Sequence, residues 1–164
     1  MTRIAARLAV IVLLVLCAGC GGGDADATHA GVEAFPDVLE IARAELGEDA
    51  ALHEVAVAES RISFVHARFG RNVRVTYNDN AVFVSNQPVR KHLDPAQVFR
   101  IADVPADAPA KLLAAIQERE NSDVTGFEAT LMRARDGTLV WNAKATAGGS
   151  AKRYEAELDG TLRA

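Results

Sequence analysis

Apolar residues alternate with polar ones in seven short segments of this 164-residue chain, and this alternation limits the fold more than any other feature. A period of two is typical of strands that bury one face against a core. Turn residues such as Glu59-Ser60, Asn78-Asp79, Asp136-Gly137 and Gly148-Gly149 separate the segments, as does Gly70-Arg71-Asn72. The predicted strands contain, in order, Val55 and Val57; Ile62, Phe64 and His66; Val73, Val75 and Tyr77; Val82 and Val84; Phe127, Ala129 and Leu131; Leu139, Trp141, Ala143 and Ala145; and Tyr154, Ala156 and Leu158.

A segment with helical periodicity precedes each of the two groups of strands. The first helix is predicted to begin at Phe35-Pro36-Asp37 and to end at Gly47, and the second to open at Pro109. Their apolar faces hold Val38, Leu39, Ala42 and Leu46, and then Leu112, Leu113 and Ile116. The sequence therefore predicts an α+β fold in which two tandem helix-plus-antiparallel-sheet meander units pack as one domain. Residues 32–87 would form the first unit with four strands, and residues 88–164 a linker and a second unit with three to four strands.

Turn chemistry also predicts a strand register. A two-residue turn at Gly148-Gly149 would place Trp141 opposite Ala156 and Ala143 opposite Tyr154. It would also place Leu139 opposite Leu158. Each large ring would then face a small residue, which is a favourable cross-strand arrangement.

The first twenty residues have the layout of a secretory leader. Arg3 and Arg7 precede an apolar run over residues 8–16, which is too short to span a bilayer, and small residues lead to Cys20. This segment resembles the signal of bacterial lipoproteins. The resemblance implies that residues 1–19 are removed, that Cys20 carries acyl chains such as palmitate, and that the protein is anchored in the cell membrane on its extracytoplasmic side. Residues 20–31 would form a flexible tether with a reach of about 18 Å.

Composition excludes several classes of function. Without residues 1–19 the chain has 16 basic and 22 acidic residues, a net charge of −6, which argues against binding nucleic acid. Cys20 would be the only cysteine left, so no disulfide, zinc site or thiol nucleophile is expected. The serines lack a G-x-S-x-G setting. The sequence predicts neither an enzyme nor a cofactor.

Two histidines form the first candidate site. A turn at Glu59-Ser60 would place His53 opposite His66 on one face, where the two rings could bind a metal or sense pH. Glu54 would point to the opposite face. The alternative is a partly buried pair of neutral histidines.

A concentration of basic residues is the second candidate site. It consists of Arg68, Arg71, Arg74, Arg90 and Lys91, followed by His92. These residues could contact anionic lipid headgroups or an acidic partner. They could equally be solvated charges at turns and strand edges.

The second half of the chain resembles PepSY-type modules, small extracytoplasmic domains with a helix packed on an antiparallel sheet. The resemblance is carried by Leu139-Val140-Trp141, by the strand from Tyr154 to Leu158 and by the turn at Asp159-Gly160. It implies an inhibitory, sensing or binding role and no catalytic residues. Two such units in tandem would also be similar to the beta-lactamase-inhibitor type of fold, but those domains contain disulfides that this chain cannot form.

The sequence thus favours a lipid-anchored domain without catalytic activity that binds a protein or another envelope component. The alternative is a carrier that holds an apolar ligand, such as a lipid, between helices and sheet. Trp141, which could line such a cavity or belong to a packed core, separates the two hypotheses.

Overall fold

The computed structural model describes residues 29–68, 71–78, 81–83 and 97–164. These residues form helices and one antiparallel sheet, which confirms the predicted α+β fold. The helices are α1 (Ala30–Leu46) and α2 (Ala108–Glu120). The strands are β1 (Ala51–Ala58), β2 (Arg61–Arg68), β3 (Arg71–Asn78), β4 (Ala81–Phe83), β5 (Phe99–Arg100), β6 (Val124–Arg133), β7 (Leu139–Ala147) and β8 (Ser150–Glu157).

The two meanders join into a single sheet in the order β4-β3-β2-β1-β6-β7-β8. β1 pairs antiparallel with β2 on one side and with β6 on the other, where Val55 lies opposite Leu131. The short β5 pairs with the first residues of β1, with Phe99 opposite Leu52. Because the first strand after α1 pairs with the first strand after α2, the two halves of the chain share one core.

The predicted register of the last hairpin is confirmed at both aromatic positions. Trp141 lies opposite Ala156 and Ala143 lies opposite Tyr154. Gly148 and Gly149 have φ angles of 55° and 77°, which other residues adopt only with strain and which match the twist of a two-residue hairpin. Leu158, predicted to face Leu139, lies beyond the end of β8.

The structure corrects the start of the first helix and the end of the tether. α1 begins at Ala30 rather than at Phe35, and Pro36 lies inside it. Gly31 is buried against the β1–β2 turn, where its N–H donates to the carbonyl oxygen of Glu59 at 2.7 Å. This tertiary contact holds the first turn of the helix, so the helix does not depend on the proline to begin.

Two predicted turns also differ in detail. The β1–β2 turn lies at Glu59-Ser60 as predicted, since Ala58 pairs with Arg61. The β2–β3 turn is shorter than predicted, because Arg71 already belongs to β3 and pairs with Arg68. Val84, predicted to extend β4, lies outside the described residues.

Both helices pack on the same face of the sheet. Their buried residues, including Phe35 and Leu39 of α1 and Ile116 of α2, join the inward residues of the strands in one core. Phe35 meets Trp141 edge to face, with ring centroids 6.3 Å apart. Of the helices that the structure describes, none is long and apolar enough to cross a bilayer.

Candidate functional site

The side of the sheet that the helices do not cover is the candidate functional surface, and we call its part over β6, β7 and β8 the open face. Alternation along the strands decides which residues it carries. On β7, Trp141 and Ala143 are buried towards the helices, whereas Asn142 and Lys144 are exposed on the other side. Thr130 of β6 pairs with Asn142 and therefore belongs to the same face. Around these residues the open face is consequently polar and accessible.

A shallow cleft of about 430 Å³ runs over the open face. Its lining includes Glu54 of β1, Glu128 and Thr130 of β6, and Asn142 and Lys144 of β7. Carboxylate, hydroxyl, amide and ammonium groups thus surround one concave surface. Such a lining can form directional hydrogen bonds with a polar ligand, whereas it offers little to an apolar one.

A row of charged residues crosses the open face near the β7–β8 turn. Lys144 lies opposite Glu128 on one side and opposite Arg153 on the other. Arg61 of β2 continues this row beyond the open face, because it pairs with Ala58, which pairs with Glu128. Within the part of the chain that the structure describes, the side chains of Arg61, Lys144 and Arg153 form neither a hydrogen bond nor an ion pair. We call these three residues the cationic row.

A second cleft, of about 690 Å³, lies where the end of α2 meets β8 and the C-terminal residues. Its charges are largely paired with one another. Lys152 donates to Glu120, and this hydrogen bond lowers the pKa of the Glu120 carboxyl. Arg163 donates to Glu155, and its Nε lies 2.8 Å from Glu157. The first pair joins β8 to the end of α2, and the pairs of Arg163 hold the C-terminal residues on β8, so these charges have a structural explanation.

The structure brings only part of the predicted basic site together. Arg68 and Arg71 lie opposite each other at the β2–β3 turn. Arg74 is already engaged, because its guanidinium donates to Glu54 at 2.9 Å and to the Ser63 hydroxyl at 3.0 Å. Arg90 and Lys91 lie outside the described residues, as does His92. A contact between this group and an anionic surface stays a prediction.

The predicted facing of His53 and His66 is wrong. β1 contains a bulge between Leu52 and Glu54, and this extra residue places Leu52, rather than His53, opposite His66. His53 and His66 are both buried, and Nδ1 of His53 has no hydrogen-bond partner. No group of three or more potential metal ligands occurs among the described residues.

Trp141 belongs to the packed core. Its side chain is fully buried, and its indole N–H donates to the carbonyl oxygen of Leu158 at 3.0 Å. It lines neither the cleft on the open face nor the cleft beside α2. The tryptophan therefore stabilises the domain in the way that a core residue does.

Sequence reasoning missed the cationic row, although a signal for part of it was present. The Gly148-Gly149 turn that pairs Ala143 with Tyr154 also pairs Lys144 with Arg153. The alignment of Arg61 with Lys144 and Arg153 could not be predicted from the sequence, because it depends on the pairing of β1 with β6. Cys20, the predicted site of lipidation, lies outside the described residues.

Comparison with protein-family models, with curated proteins and with solved structures finds no match to this chain.

Proposed function

We propose that this protein is a lipid-anchored extracytoplasmic domain that binds a protein or another envelope component through its open face and catalyses no reaction. The open face carries the proposal: one side of the sheet is covered by both helices, and the other presents a polar cleft with cations that have no partner within the described residues. A domain whose charged groups are exposed on a sheet face is suited to recognition of a polar partner.

The proposed location rests on the sequence. Arg3 and Arg7, the apolar run over residues 8–16 and Cys20 together resemble a lipoprotein signal. Acyl chains on Cys20 would hold the domain at the membrane by a connection of about nine residues, counted from Cys20 to the described start at His29. The resemblance of the second half to PepSY-type modules agrees with an inhibitory, sensing or binding role.

An apolar carrier has less support. A carrier needs a cavity lined mainly by apolar groups. Trp141 is fully buried by protein atoms, and the clefts described above are lined mainly by charged and polar residues. A Trp141→Ala variant that stays folded and loses only ligand-dependent stabilisation would favour the carrier.

Site-specific photo-crosslinking in membranes tests the proposed surface. A photoreactive residue at Asn142 samples the open face, and one at Glu40 samples the exposed side of α1. We expect a discrete adduct with one envelope component from position 142 and none from position 40. The adduct should disappear when an excess of unlabelled mature protein is added.

Equal adducts from both positions, or none from position 142, would refute the open face as the binding surface. Loss of membrane association is tested separately through Cys20. The proposed anchor and the proposed binding surface are therefore tested independently of each other.

A further inference from the structure

Lys144 and Arg153 form an unusual pair, because two cations lie directly opposite each other on neighbouring strands. The backbone carbonyl oxygen of Glu155, two residues further along β8, accepts a hydrogen bond from the backbone N–H of Arg163. The backbone groups of Glu155 therefore point away from β7. By alternation the main-chain groups of Arg153 also point away from β7. Lys144 and Arg153 are therefore a non-hydrogen-bonded pair, the kind in which opposing side chains approach most closely.

This arrangement costs stability in the isolated protein. Like charges directly opposite each other in a sheet are unfavourable. Glu128 lies opposite Lys144 on the other side, but the two side chains form no ion pair. The other basic residues of β8 and of the C-terminal residues, Lys152 and Arg163, are paired with acids. A pair of cations beside a cleft, with no ion-pair partner among the described residues, is suited to bind an anionic group from another molecule.

The groups around the pair fit a carboxylate. Lys144 and Arg153 both line the cleft, and Asn142 and Thr130 lie in the adjacent row. Ammonium and guanidinium groups donate charge-assisted hydrogen bonds to a carboxylate, and the amide and hydroxyl can donate further ones. The cleft of about 430 Å³ is large enough for side chains of a short segment rather than for a folded surface.

We propose that Lys144 and Arg153 bind the carboxylates of an acidic segment of a protein partner, laid in the cleft of the open face. The proposal rests on the proposed function and specifies the chemistry of its partner. A protein segment fits better than an anionic membrane, because acids lie on the same face. Glu128 lies on the same face opposite Lys144 and forms no ion pair within the described residues. A broad anionic surface would therefore meet repulsion as well as attraction, whereas the carboxylates of a segment can be placed at the two cations alone.

Binding of a labelled hexaglutamate peptide to the mature protein at low salt tests this inference. We expect measurable binding that weakens about tenfold or more in the double variant Lys144→Gln, Arg153→Gln, as charge-assisted hydrogen bonds of the usual strength imply. Lys152→Gln is the matched control. Like Arg153→Gln it removes one positive charge from β8, but Lys152 is paired with Glu120. Its affinity for the peptide should stay within about twofold of the wild type.

Thermal melting without peptide adds a readout that a merely structural role would not produce. Because the double variant removes a like-charge pair, its melting temperature at low salt should equal or exceed that of the wild type. A folded double variant with lower affinity supports the proposal. Unchanged affinity in the double variant, or an equal loss in Lys152→Gln, overturns it.

Binding to vesicles with and without phosphatidylglycerol tests the alternative partner, an anionic membrane. If the anionic vesicles bind through Lys144 and Arg153 while hexaglutamate does not bind, the partner is the membrane and the proposal is wrong. If the affinity for hexaglutamate does not depend on Lys144 and Arg153 but position 142 still crosslinks to one component, this inference is wrong and the proposed function stands.

Discussion

Replacing Gly31 by alanine should destabilise the protein, although the same change usually stabilises a helix. In an exposed helix interior, alanine is favoured over glycine by about 1 kcal/mol. Gly31 is buried, and a Cβ at this position would overlap the carbonyl oxygen of Ala58. The same Cβ would lie 3.1 Å from the carbonyl carbon of Ala58 and 3.3 Å from the carbonyl oxygen of Glu59. All three atoms belong to the backbone of a central strand and its turn, so α1 must move.

The magnitude follows from what this movement breaks. Overpacking of a core typically costs about 1 to 3 kcal/mol. The hydrogen bond from Gly31 to Glu59 would also lengthen, which costs about 1 kcal/mol or more for a buried pair. After subtraction of the gain in helix propensity, we expect a net loss of about 1 to 3 kcal/mol. For a domain of this size that loss lowers the melting temperature by about 3 to 12 °C.

Thermal and urea unfolding of the mature protein measure the effect. Ala34→Gly is the control, because Ala34 is exposed on the same helix and should lose only about 1 kcal/mol through propensity. If Gly31→Ala melts at or above the wild-type temperature, α1 does not rest on the β1–β2 turn, and the docking described above is wrong.

Four further predictions concern the core, the anchor, the tether and a buried hydroxyl. Trp141→Ala should lower the free energy of unfolding by about 3 to 5 kcal/mol, both in protein stripped of ligand by refolding and in protein as extracted. A variant that stays folded and loses only ligand-dependent stabilisation would favour the carrier. Cys20→Ser should release the protein from membranes or leave an uncut precursor, and an intact mass of the extracted wild type without acyl chains would disprove the anchor. Deleting residues 21–28 should change the melting temperature by less than about 2 °C, because every described residue is retained; a large drop would show that the segment is docked. Burial and the carboxylate of Glu45, which accepts a 3.1 Å hydrogen bond from the Tyr77 hydroxyl, raise the pKa of Tyr77. The tyrosine should therefore ionise first in the unfolded chain, so the free energy of unfolding should fall above about pH 10. Urea unfolding should show a smaller fall in Tyr77→Phe.

The sequence by itself determined the features that depend on neighbouring residues. Alternating apolar residues predicted the strands, since a half-buried strand repeats every second residue. Gly148-Gly149 predicted the last hairpin and its register, because a two-residue turn with positive φ leaves one way to pair the strands. The first turn, at Glu59-Ser60, sets the pairs of Val57 with Ile62 and of Val55 with Phe64 in the same way.

Local reasoning failed where a single extra residue enters a strand. The bulge beside His53 moved Leu52 into the core and separated the two histidines in register. A second bulge, between Thr125 and Glu128, lets both Val124 and Phe127 reach the core. Bulges interrupt the period of two, and their positions are decided by which side chains the core can accommodate.

Only the tertiary structure decided how the two halves meet. The pairing of β1 with β6 joins residues far apart in the chain, and nothing local to either strand specifies it. The same is true of the start of α1, which begins at Ala30 because Gly31 can approach the backbone of Ala58 closely. It is also true of the cationic row, whose member Arg61 reaches the row of Lys144 and Arg153 only across β1 and β6. Local rules set each hairpin, and the burial of a shared core set their arrangement, because that burial depends on contacts between residues distant in sequence.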